Sequence, residues 1–182
     1  MKTIHRKRIT TMKTLILNIV VILFALGYTS SLAQDTPCNC CTKEHEAFDF
    51  WIGSWEVTTP DGNPAGTNKI TKVEGNCIIR ENWISAKSGY TGSSTNFYNS
   101  ESKQWEQLWI DNAGAHLKLK GNRKGNQMIL ISDSFKIENG GERYNRITWT
   151  KNEDGTVRQL WEVMENENVA SIAFDGLYKK VE

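Results

Sequence analysis

Three pairs of residues in this chain repeat one device: Glu81 stands two positions before Trp83, Gln107 before Trp109, and Gln159 before Trp161. In an extended chain, residues two apart project from the same face. Each pair therefore sets a hydrogen-bonding group beside an indole. Asn96, which shares a face with Ser94 and Tyr98, adds a third amide. Converging on one space, these side chains could hold a flat or amphipathic organic molecule, the indoles supplying most of the burial and the amides and carboxylate fixing its polar atoms. The competing reading is a polar-laced core in which buried amides and indoles satisfy one another. If Glu81 is buried without a cation its pKa rises, which suits a proton acceptor. Asp111, in phase with Gln107 and Trp109, is the acid that would join it in general acid–base catalysis.

A second cluster is Cys38, Cys40 and Cys41 with His45. Thiolates and imidazole suit copper(I) or zinc, and a helical turn begun at Thr42 would bring His45 back toward the cysteines. Cys-x-Cys-Cys is not a standard zinc spacing, however, and adjacent cysteines ligate one ion awkwardly. Disulfides or free thiols compete with the metal, and Cys77 is the fourth cysteine available. One bridge from the cluster to Cys77 would leave two thiols over.

Established catalytic patterns are missing. The chain has no Gly-x-Ser-x-Gly, no His-Glu-x-x-His and no phosphate-cradling glycine loop. His116, beside the Asn112-Ala113-Gly114 turn, reads as a solvated histidine. The seven tryptophans, at 51, 55, 83, 105, 109, 149 and 161, would form a surface platform for carbohydrate only if the mixed faces pointed outward.

The first 33 residues read as a secretory signal peptide: Lys2, Arg6, Lys7, Arg8 and Lys13 lead an apolar core over 15–28, and Ser31-Leu32-Ala33 supplies small residues for cleavage. Met12 could be the true start. The apolar run is shorter than the roughly 20 residues that span a bilayer, and Cys38 does not follow a lipoprotein-type triplet. Of 22 basic and 21 acidic residues the leader holds five basic and no acidic ones, which leaves the mature chain at a net charge of −4. With no basic run beyond the leader, a nucleic-acid partner is excluded in favour of a small molecule. The expected organisation is a signal peptide over 1–33, a cysteine-containing segment with a short helix over 34–47, and one β domain over 48–182, exported to the periplasm or secreted, with no membrane span in the mature chain.

The elements that position the mixed faces are strands. Residues 42–48 read as one or two helical turns with Thr42 as N-cap. Beyond them, strands are predicted over 55–59, 67–73, 77–85, 90–98, 105–111, 116–121, 128–133, 143–150, 157–164 and 170–179. Pro-Asp-Gly, Glu-Gly-Asn, Arg-Lys-Gly-Asn and Glu-Asp-Gly are among the separators, and they supply positive-φ turn positions. Ten short strands joined this way predict an all-β, antiparallel up-and-down barrel. A sandwich fits the same spacing; the mixed faces favour the barrel, because inward they would line a cavity. Their outward neighbours, Leu108 and Ile110 among them, would then be exposed or covered aliphatics.

Several segments carry a resemblance: Phe48-Asp49-Phe50-Trp51 leading into Gly53-Ser54-Trp55, Gly75-Asn76-Cys77-Ile78-Ile79-Arg80-Glu81-Asn82-Trp83, Trp105-Glu106-Gln107-Leu108-Trp109-Ile110-Asp111, Val157-Arg158-Gln159-Leu160-Trp161-Glu162 and Phe174-Asp175-Gly176-Leu177-Tyr178. Together they resemble a group of exported bacterial lipocalin-like proteins of the calycin superfamily, a group without an established activity. The resemblance implies a barrel closed by an N-terminal helical turn, with Gly53 and Trp55 at the closed end and a late-strand arginine, Arg146 or Arg158, over the Trp55 ring. Ten-stranded relatives include haem-binding nitrobindin-like proteins, in which haem takes an axial ligand, usually histidine. Here the mature chain offers only His45 and His116, neither in a late strand. No cofactor is therefore expected, and haem and copper or zinc stand as the alternatives.

Overall fold

In the computed structural model, residues 37–181 are described apart from Ser88 and Asn139. The expected leader lies outside the described residues. Eleven antiparallel strands follow the N-terminal turns. They are β1 (Gly53–Thr58), β2 (Pro64–Val73), β3 (Ile78–Ser85), β4 (Thr91–Asn99), β5 (Gln104–Asp111), β6 (His116–Lys124), β7 (Gln127–Ile131), β8 (Phe135–Lys136), β9 (Glu142–Lys151), β10 (Val157–Glu165) and β11 (Asn168–Lys180). Sequential neighbours pair from β1 to β7, β9 pairs with β7, β8 and β10, and β11 pairs with both β10 and β1. The result is a closed ten-stranded barrel, which leaves no strand edge of the ring unpaired.

The ten predicted strands are the ten of the ring. The eleventh, β8, is two residues long and was not predicted. It extends the β9 ladder past the end of β7, pairing Phe135 with Arg143. Between them Ser132 keeps the ladder hydrogen-bonded: its N–H donates to Asn145 O at 2.9 Å, and its Oγ accepts from Asn145 N at 2.9 Å.

Phase decides the interior. Glu81 and Gln107 are 4% and 5% exposed, while their outward neighbours Ile84 and Ile110 are 59% and 45% exposed. The mixed faces point in, sharing the interior with Val57, Ile70, Ile79, Leu119, Leu130 and Ile147, while the aliphatics that alternate with the mixed faces, Ile84, Leu108 and Ile110, point out. Gly66 and Gly92 show how closely they fit. A Cβ on Gly66 would lie 2.7 Å from the Trp83 ring, and one on Gly92 would lie 2.2 Å from the Trp109 ring. Each indole thus lies over a neighbouring strand at a point where only glycine leaves room.

One end of the barrel is stoppered. The segment over 42–48 forms successive turns rather than the expected helix, followed by a 3-10 turn at Asp49–Trp51. Seven residues are too few for a helix to persist on propensity alone. In addition, Thr42 Oγ1 spends its hydrogen bonds on Glu44 (2.7 Å) and His45 Nδ1 (2.9 Å) instead of capping. The 3-10 geometry nearly eclipses positions three apart and so stacks Phe48 on Trp51, with centroids 5.0 Å apart and planes at 16°. Trp149 meets both rings and Trp105 meets Phe48 edge-on. Truncating a fully buried ring of this kind to alanine costs roughly 3–5 kcal/mol.

Polar ties fix the stopper to the barrel. Trp55 Nε1 donates to Trp51 O at 2.9 Å, and Trp105 Nε1 donates to Glu44 O at 3.0 Å. Arg123 reaches Ala47 O at 3.1 Å while lying over the Phe50 ring, and Lys72 pairs with Asp49 at 2.8 Å. Cys40–Cys77 bonds the segment to the β2–β3 turn, and Cys38–Cys41 closes a small loop beside it.

Trp55 sits at this end, as expected, but neither proposed arginine covers it. Arg158 lies between inward Val157 and Gln159, and Arg146 between inward Asn145 and Ile147. Both therefore point outward, where they pair with Asp175 and Glu162. The cation over the Trp55 ring is Lys180, which is paired opposite Trp55 in the register, with Nζ 5.4 Å from the ring centroid. Gly53 makes room for it at φ 148°: a Cβ there would stand 2.7 Å from Lys180 Cε.

Candidate functional site

Above the stopper the barrel encloses a cavity of about 540 Å³. Its mouth lies between the β1–β2 turn, represented by Thr59 and Pro60, with Pro64 at the start of β2, and the β3–β4 turn, represented by Lys87 and Tyr90. Six of the seven sequence-predicted residues line it: Glu81, Trp83, Gln107, Trp109, Gln159 and Trp161. β3, β5 and β10 each deliver one pair, because inward residues two apart stay on one face. Trp83 meets Phe174 of β11 edge-on at 5.8 Å, and Trp161 Nε1 donates to Asn145 Oδ1 at 2.8 Å, which fixes that indole's orientation.

Asn96 is placed differently. It is completely buried beneath the cavity, where Nδ2 donates to Ile79 O at 3.0 Å and to Ser94 Oγ at 2.8 Å, and Oδ1 accepts from Gln107 Nε2 at 2.6 Å. The interior thus has two layers. The lower is an interlocked polar core, as the competing reading expected; the upper is the lined cavity.

Glu81 joins the two layers. Its Oε1 accepts from Asn68 Nδ2 at 2.7 Å and its Oε2 accepts from Ser94 Oγ at 2.6 Å. Asn68 also donates to Tyr178 Oη at 3.4 Å, and Tyr178 in turn donates to Gln159 Oε1. One continuous chain runs from Gln107 through Asn96, Ser94, Glu81, Asn68 and Tyr178 to Gln159. No lysine, arginine or histidine among the described residues pairs with Glu81. Burial pushes its carboxyl up to about 7, against the opposing pull of the bonds from Ser94 and Asn68. Burial, then the Glu81 charge, pushes the Tyr178 hydroxyl well above its ordinary range. Asn68 Oδ1 and Trp149 Nε1 are buried without a protein partner.

Asp111 does not meet Glu81. It ends β5, and its Oδ1 accepts from the N–H groups of Ala113 and Ala115 at 2.9 Å each, which caps its own hairpin turn. The cysteines take the disulfide alternative rather than the thiolate one. All four cysteines form disulfides, which leaves Cys38, Cys40 and Cys41 no thiolate for a metal, and His45 instead packs edge-on against Tyr98 with centroids 5.3 Å apart. The geometric reason is the β2–β3 turn, which brings Cys77 to Cys40 with Cα atoms 4.9 Å apart and leaves Cys38 and Cys41 to each other. His116 is exposed at the start of β6, and no histidine among the described residues lines the cavity.

Sequence reasoning missed Asn68, Ser94 and Tyr178 as members of the network, and Phe174 as a wall. The signal for Asn68 and Tyr178 was present: Asn68 is in phase with Ile70, and Tyr178 with Gly176 and Phe174. Only the strand register shows that both meet Glu81. Compared with known proteins, the chain matches no family model and no curated protein.

Proposed function

We propose that the chain is an exported lipocalin-like protein, akin to the calycin superfamily, that binds a small, partly apolar molecule in the barrel interior. The observation that supports this reading is the cavity of about 540 Å³ walled by four indoles, those of Trp83, Trp109, Trp149 and Trp161, with a buried carboxylate and two amides at its polar side. Small-molecule sites are commonly mostly apolar hollows with a few placed polar groups. Trp83, Trp109 and Trp161 supply the burial, Glu81, Gln107 and Gln159 fix polar atoms, and Asn96 holds Gln107 in place. The paired cysteines suit an oxidising compartment, in keeping with periplasmic location or secretion.

The test is titration of the purified chain with N-phenyl-1-naphthylamine, a neutral fluorescent apolar probe. The wild type should take it up, and Trp109→Ala should bind it about tenfold more weakly while still unfolding cooperatively. Failure of the wild type to enhance the probe's emission would sink the proposal.

The Glu81 carboxyl near 7 favours a second reading, an enzyme that uses it as general acid or base on a ligand in the same cavity. In that case Glu81→Gln abolishes turnover and leaves probe uptake intact.

A further inference from the structure

On the premise that the interior is a ligand site, we infer that its ligand carries a positively charged nitrogen, an organic ammonium on an apolar or aromatic body, with the Glu81 carboxylate as counter-ion.

Three observations carry this. First, Glu81 is 4% exposed, lines the cavity, and has no protein cation. A buried charge ordinarily has a partner, and the open side here is the cavity itself. Second, the groups around it are arranged for the anion. Ser94 Oγ already receives Asn96 Nδ2 and so directs its own proton to Glu81, while Asn68 brings Nδ2 to the other oxygen. Both oxygens are met by donors, as suits a carboxylate. Third, the walls next to the carboxylate are aromatic: Trp83 follows Glu81 on the same face of β3, Tyr178 shares Asn68 with it, and Trp109 and Trp161 complete the wall. Ring faces attract cations, and most strongly in a desolvated site.

The remaining charges do not cancel the field. Asp175 borders the cavity, but its carboxylate is turned outward to Arg158, and Lys87 stands exposed at the mouth. Tyr178, the titratable group nearest Glu81 in the network, stays neutral through the physiological range because its hydroxyl is pushed upward. Anionic amphiphiles such as fatty acids would therefore be repelled at the cavity's polar side.

Three probes that share one ring separate the alternatives by calorimetric titration: 1-naphthylmethylamine, 1-naphthalenemethanol and 1-naphthaleneacetate, as cation, neutral and anion. At pH 8 the amine should bind about tenfold more tightly than the alcohol, and the acetate more weakly than both. At pH 5, where Glu81 holds its proton and the amine keeps its charge, the preference should collapse, and Glu81→Gln should abolish it at pH 8. Alcohol binding equal to or tighter than the amine would overturn the cation assignment while leaving the binding site intact. A preference that survives at pH 5, or in a folded Glu81→Gln, would overturn Glu81 as counter-ion. If none of the three enters, the ligand site itself fails. The pH comparison on wild-type protein gives its answer even if Glu81→Gln does not fold.

Discussion

Replacing Glu81 by glutamine should stabilise the barrel at alkaline pH and do so in a defined window. In the folded chain the carboxyl titrates near 7, against an ordinary value of 4.5, chiefly because burial penalises its charge. A folded-state pKa above the unfolded one means that the native state holds the proton more tightly. Below about pH 4.5 both states are protonated and nothing is lost. Between 4.5 and 7 the unfolded chain binds fewer protons than the native one, so stability falls as pH rises, and above 7 the penalty is constant. At about 1.4 kcal/mol per pH unit, the rise from 4.5 to about 7 corresponds to about 3 kcal/mol. Glutamine keeps the shape and carries no charge. Its Oε1 can accept from Ser94, and its Nε2 can donate to Asn68 Oδ1 once that amide turns over, in exchange for the bonds that Asn68 Nδ2 makes to Glu81 and Tyr178. Urea unfolding of both proteins from pH 4 to pH 8, with disulfides intact, reads the difference and cancels pH effects common to the two. The variant should match the wild type near pH 4 and exceed it by about 3 kcal/mol at pH 8. A difference that does not change with pH would refute the placement of an ionised, cation-free carboxylate in the interior.

Two further outcomes follow from the packing. Replacing both Cys40 and Cys77 by serine should lower stability by about 4 kcal/mol, against about 2 kcal/mol for the Cys38/Cys41 pair, because the first bridge closes the much longer loop; equal losses in urea unfolding would contradict the pairing. Gly92→Ala should destabilise by roughly 1–3 kcal/mol and expose Trp109 to aqueous quenchers, since the new Cβ would collide with that ring; unchanged quenching would mean the indole does not lie over β4.

The strand count and the inward phase were legible because both are local: turn residues punctuate the chain, and period-2 alternation needs no partner. Glu81, Trp83, Gln107 and Trp109 could be assigned to one interior on that basis. What required the fold was register. Lys180 lies over Trp55, and Asn68 and Tyr178 meet at Glu81, only because β11 closes against β1 and β1 pairs with β2. Phase alone would have excluded Arg146 and Arg158 from the interior, since both alternate with inward residues. The cysteine pairing depended on the path of one turn, and β8 is too short to leave a periodic signature. The helix expected over 42–48 gave way to turns because the aromatic stack it feeds, rather than local propensity, fixes the segment's path.

Among the described residues the stopper leaves the barrel one doorway. Aromatic stacking, four polar ties and a covalent bond seal the end that Phe48 and Trp51 fill, so whatever enters past Pro60 and Tyr90 must leave the same way. Uptake and discharge then cannot be tuned separately, as they could in a tube open at both ends. A mutation in the two mouth turns would change arrival and departure rates together, leaving the resting occupancy nearly fixed while altering how quickly it responds to supply.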